Sequence, residues 1–205
     1  MSIKDVPNKS HATSAKSLAG SRLDRDRSVL LAIDVQERLA PHVLAHEALI
    51  ARIEALTEAA RRFDIPAFLT EHCPAQIGPV IARLRSRFDA KHIFAKTRFG
   101  AVDHPAFEAM LHSTGRSQIV VAGMEAHVCV MQTTLGLVAK GFDLFVVGDA
   151  VGSREARQAD RQFALDRLRD AGCTLVGAET VLFEWTRAGD DVAFKDVLAL
   201  VKSLD

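Results

Sequence analysis

The strongest constraint on this chain is an alternation of short apolar runs with longer amphipathic segments. The runs are 29–34 (VLLAID), 67–70 (AFLT), 92–96 (HIFAK), 118–122 (QIVVA), 142–147 (FDLFVV) and 173–176 (CTLV). Their length and apolar character suit buried strands. The run 29–34 is apolar up to its closing aspartate, the pattern of a strand covered on both faces. Between the runs the spacing becomes helical. Over 46–63, Leu49, Ile53, Leu56, Ala60 and Phe63 recur at four-three-four-three intervals on one face. Further helices are expected over 80–87, 105–112 with proline in the first turn, 131–140, 156–171, 180–187 and 191–204. In 156–171 the expected buried positions are Phe163, Ala164, Leu168 and Ala171. This order predicts an α/β fold: a three-layer αβα sandwich around a mostly parallel, about six-stranded sheet. Residues 1–27 show no periodicity and are expected to be a flexible N-terminal arm before one domain over 28–205.

Lys+Arg and Asp+Glu each total 26, a formal net charge of +0. That leaves no basic excess for nucleic acid or an anionic membrane surface. No run approaches the roughly 18 apolar residues of a membrane span. The first residues lack the apolar centre of a signal peptide. Cys73, Cys129 and Cys173 are an odd count that suggests no disulfide framework. The expectation is a soluble cytoplasmic protein with a small-molecule substrate and no nucleic-acid or membrane partner.

Three polar groups fall at or just past strand ends: Asp34, Lys96 and Cys129. In a parallel sheet those ends share one edge, so the three can converge. Cys129 should sit at a strand-to-helix turn, where the helix amino end and Lys96 favour a thiolate and Asp34 opposes it. Asp34 can take the thiol proton and later return it to a leaving group. The turn can offer backbone N–H groups to a developing oxyanion. Taken singly, Asp34 also suits a turn cap, Cys129 a small core residue, and an Asp–Lys pair a structural bridge.

The segments LLAIDVQERLAP, TEHCPAQIGP, FAKTRFGA, VVAGMEAHVCVMQTTLGLVAKGF and VVGDAVGSR together resemble the isochorismatase-like cysteine hydrolase family, which includes nicotinamidases and N-carbamoylsarcosine amidases. The resemblance runs from about residue 28 to the end and takes in Phe183-Glu184-Trp185. It implies a triad of Asp34, Lys96 and Cys129. It also implies a cis peptide between Met124 and Glu125, and an oxyanion hole from the backbone N–H groups of Glu125 and Cys129. Nicotinamidases carry an Asp-x-His…His metal site. The corresponding loop here, Glu71-His72-Cys73-Pro74, lacks that spacing, so neither a metal nor a cofactor is implied. Isochorismatases proper act on a vinyl ether without this cysteine, so Cys129 argues against that reaction. The implied activity is cleavage of a C–N, amide-type bond of a small molecule through a covalent Cys129 intermediate. A homo-oligomer, dimer or tetramer, is also implied.

Around the triad, Gln36, Phe99 and His127 are candidate substrate-pocket residues. Gln36 could equally cap its turn, Phe99 could be ordinary core, and His127 could face a subunit interface. Arg98 could bind an anionic group or pair with a carboxylate. Two readings from other classes stay open. One is a catalytically silent scaffold or binding protein. The other is a thiol-redox sensor, with Cys129 reacting with peroxide and Cys73 as the resolving thiol.

Overall fold

The computed structural model describes residues 22–204. Six strands form one sheet: Ser28–Ile33 (β1), Ala67–His72 (β2), Ile93–Lys96 (β3), Gln118–Met124 (β4), Asp143–Gly152 (β5) and Thr174–Val176 (β6). Their order is β3-β2-β1-β4-β5-β6, and every neighbouring pair is parallel. The connections carry eight α-helices among the described residues: His46–Arg62 (α1), Pro74–Ile77 (α2), Ala82–Arg85 (α3), Pro105–Ser113 (α4), Met131–Ala139 (α5), Gln158–Asp170 (α6), Ala178–Thr186 (α7) and Phe194–Lys202 (α8).

The period-two alternation of the central strands builds two core layers. Leu30 and Ala32 of β1, with Val120 and Ala122 of β4, face a layer filled by Leu49, Ile53 and Leu56 of α1, Trp185 of α7 and Val197 of α8. Val29, Leu31 and Ile33, with Ile119 and Val121, face the opposite layer, filled by Phe107 of α4, Leu137 of α5 and Leu168 of α6. Parallel strands need long crossovers, and the crossover helices cover both faces. The strand order reverses between β1 and β4, which opens a crevice at the carboxyl edge of the sheet. Gly123 closes the two strands together there. A Cβ on it would lie 2.1 Å from the carbonyl oxygen of Ile33, beside Asp34.

Three local expectations differ from the structure. Phe163 is 69% exposed, because the buried stripe of α6 runs through Ala164, Leu165 and Leu168, one residue further round the helix. The expected loop at Glu71-His72-Cys73-Pro74 is partly regular: β2 continues to His72, and Pro74–Ile77 forms a short helix. The folded part also begins before residue 28. Leu23 is 2% exposed, a burial that contributes about 1.5–3 kcal/mol for a leucine. Its N–H donates to Glu184 Oε2 at 2.8 Å, and Arg25 pairs with Asp191 at 2.7 Å. The rest of the expected arm, 1–21, lies outside the described residues. No helix among the described residues is long and apolar enough to cross a membrane.

Candidate active site

Asp34 is the first residue past β1, with φ of 52° in the left-handed region. One neighbour holds it twice. Thr70, opposite Ile33 on β2, accepts the Asp34 N–H at its carbonyl (3.1 Å) and donates its hydroxyl to Asp34 Oδ1 (2.6 Å). Lys96 ends β3, with β2 between it and β1, so its long side chain must reach past the end of β2. Its Nζ donates to Asp34 Oδ2 at 2.7 Å and to the carbonyls of Phe99 and Arg98 at 3.1 and 3.3 Å. Those contacts use all three ammonium donors. Asp34 and Lys96 are both buried.

Cys129 follows β4 in a π-helical turn, Ala126–Val130, that runs directly into α5. The peptide between Met124 and Glu125 is cis. Asp34 and Lys96 both act on the Cys129 thiol, in opposite senses. Burial first, and the Asp34 carboxylate second, push the thiol up to about 12, while Lys96 pulls it down. This corrects the expectation of a favoured thiolate. The helix end and the lysine do not offset removal from water plus the influence of the Asp34 carboxylate.

Asp34 and Cys129 open onto a cavity of about 340 Å³. Leu39, Ile77, Phe99 and Val128 give it apolar walls, and His42, His72, Glu125 and Arg154 complete the lining. Lys96 stands behind Asp34 rather than in the wall. Glu125 Oε1 accepts from Arg154 Nε at 2.9 Å and from its backbone N at 3.2 Å.

Of the expected pocket residues, Phe99 lines the cavity and Gln36 and His127 do not. Gln36 is fully buried as a clamp. Its Oε1 accepts the His72 N–H (2.7 Å), and its Nε2 donates to the carbonyls of His72 (3.0 Å) and Gly78 (2.5 Å). An amide has the donors and acceptor to read both backbone groups of one residue, so Gln36 fixes the wall instead of forming it. His127 turns to Ser153, with Nδ1 3.0 Å from its Oγ. Arg98 is 3.8 Å from Asp103. Among the described residues no group of three or more His, Cys, Asp or Glu is arranged to hold a metal ion. Thr70, His42 and Arg154 were not anticipated. Thr70 lies 36 residues from Asp34 and Arg154 lies 29 from Glu125, and only the register of β1 on β2 could have pointed to Thr70.

The pattern defining the isochorismatase domain matches residues 28–180. An all-parallel sheet with a strand-end Asp, Lys and Cys at its switch point is thus placed by its own sequence: the chain belongs to the isochorismatase family. Isochorismatase domain-containing protein 1 of Danio rerio is 32% identical over 175 residues, 85% of this chain. The chain spans only 61% of that relative's length. Among solved structures, the MAR1 ribonuclease of Caenorhabditis elegans superposes with a TM-score of 0.82 at 32% identity, covering 89% of this chain and 93% of that one. The YcaC gene product of Escherichia coli, described as an octameric hydrolase of unknown specificity, gives 0.79 at 28% identity, covering 89% and 88%.

Proposed function

We propose that this chain is a cysteine hydrolase that cleaves an amide-type C–N bond of a small molecule through a thioester on Cys129. The observation that carries the reading is the meeting of Asp34, Lys96 and Cys129 beside one small cavity. The raised thiol sets the order of events. Cys129 rests protonated, so its proton passes to Asp34 as Sγ bonds to the carbonyl carbon. The backbone N–H groups of Glu125 and Cys129 are assigned to the oxyanion that forms. The C–N bond then breaks, and the nitrogen leaves with the proton from Asp34. Water attacks the thioester and gives its proton to Asp34. The acid departs, and the proton returns to the thiol. Lys96 holds Asp34 in place while protons come and go, so the aspartate moves protons and the lysine supplies fixed charge.

A cavity of about 340 Å³ and a net charge of +0 favour a small molecule over a polynucleotide. The raised thiol disfavours a peroxide sensor, because the thiolate is the oxidised form's precursor. The octameric E. coli neighbour supports a homo-oligomer. The test is a panel of small amides with mass spectrometry of the quenched enzyme. Turnover with an acyl mass on the Cys129 peptide is expected, with both lost in Cys129→Ala. Turnover retained in Cys129→Ala removes the reading.

A further inference from the structure

Four charged side chains bear on the site, and they cancel in pairs: Asp34 with Lys96 at 2.7 Å, and Glu125 with Arg154 at 2.9 Å. The two pairs are built differently. The first is sealed, with its side chains 1% and 3% exposed. In the second, Glu125 is 10% exposed but Arg154 is 49% exposed at the cavity wall. Arg154 meets Glu125 through Nε, and neither of its terminal nitrogens makes a hydrogen bond among the described residues. A guanidinium fork held this way would ordinarily draw a carboxylate onto its two free faces. Glu125, bound on the Nε flank, offsets that charge. Leu39, Ile77, Phe99 and Val128 supply the apolar part of the same lining, beside His42 and His72.

We propose that the Glu125–Arg154 pair acts as a charge filter, so that the site takes uncharged amides with an apolar acyl part and refuses those carrying a carboxylate or an ammonium. A charged group entering would lose its hydration against a partner that the other half of the pair already neutralises. The substrate class rests on the cysteine-hydrolase reading. The filter itself belongs to the lining and can be read without turnover.

Alkylation of Cys129 supplies the probe, since Sγ–C bond formation with loss of halide needs no substrate. Iodoacetamide is uncharged, iodoacetate is an anion and (2-bromoethyl)trimethylammonium is a cation at any pH. Rates at Cys129, resolved by peptide mapping, are divided by those of N-acetylcysteine under the same conditions. Because His42 and His72 also line the cavity, labelling is run at about pH 8.5, well above the ordinary imidazole value of about 6.5. In the wild type both charged reagents are expected to be disfavoured against iodoacetamide by about tenfold. Glu125→Gln leaves the Arg154 charge unmatched and should raise the iodoacetate-to-iodoacetamide ratio by about tenfold. Arg154→Gln leaves the Glu125 charge unmatched and should raise the (2-bromoethyl)trimethylammonium ratio instead. Ratios that equal those of N-acetylcysteine in the wild type, or that do not move in opposite senses in the two variants, overturn the filter. If one variant fails to fold, the other decides alone by its own ratio. Ratios that shift as stated while no amide yields an acyl adduct would remove the hydrolase reading and leave the filter standing.

Discussion

Cys129 and Cys173 lie in the same core layer, 6% and 5% exposed, and burial pushes both thiols up, to about 12 and about 11. For Cys173 burial is the whole cause. For Cys129 the Asp34 carboxylate adds to it and Lys96 works against it. By proton affinity alone the two are nearly indistinguishable. What separates them is a destination for the proton: Cys129 shares its cavity with a carboxylate that acts on it, held by Thr70 and Lys96, and Cys173 has none acting on it. In the proposed mechanism a buried cysteine becomes a usable nucleophile through its neighbour and not through a low pKa.

The hardest blow to that contrast is Asp34→Asn. Turnover should fall about 10²–10⁴-fold with loss of the proton acceptor. Alkylation of Cys129 should meanwhile reach its half-rise at lower pH, because an influence that raises the thiol has been removed while Lys96 stays. Cys173 should not shift. Both thiols moving together, or turnover persisting, would break the comparison.

Next in size is Lys96→Met. It leaves a buried carboxylate without its cation, which costs about 3–5 kcal/mol, read from urea unfolding. Adding Asp34→Asn should recover most of that loss; a double variant no more stable than Lys96→Met would show that the lysine acts through packing instead. Thr70→Val is milder. It deletes a buried 2.6 Å hydrogen bond to a carboxylate, with an expected loss of about 1.5–3 kcal/mol that Thr70→Ser restores. Failure of the serine to restore it would point to the lost methyl shape and not the hydroxyl.

Much of this contrast could be read from the sequence, and the remainder shows where such reading stops. Strand-end residues announce themselves: VLLAID and HIFAK each close an apolar run with a charge, and a parallel sheet sends those ends to one edge. Thr70 and the Glu125–Arg154 pair stay hidden because they depend on register and on how loops return, which no local pattern encodes. Gln36, two residues past Asp34, suggests a pocket residue or a turn cap in equal measure, yet its amide satisfies the His72 backbone. Phe163 shows the limit of periodicity: one residue along a helix is about 100° of rotation, enough to carry a phenylalanine out of the core. The thiolate expectation failed on magnitude. A helix end contributes typically 0.3–1 kcal/mol, less than desolvation of a buried charge.

The smallest effect is also the sharpest test of that last point. A thiol raised in the folded state keeps its proton where the unfolded chain, near the ordinary 9.0, has lost it. Its stabilising contribution is therefore whole below about pH 9 and declines as pH rises toward the folded value. Between pH 9 and 10 each cysteine should lose about 1 kcal/mol. Replacing either one with alanine should flatten the alkaline fall in stability by that amount, on top of a pH-independent cavity cost. Over this window Cys129→Ala and Cys173→Ala should flatten the curve equally, since both folded values lie above it. If Cys173→Ala flattens the curve and Cys129→Ala does not, Cys129 is already ionised there. The lysine would then have prevailed over burial and Asp34, and the attacking group would be a preformed thiolate with no need to hand its proton to the aspartate.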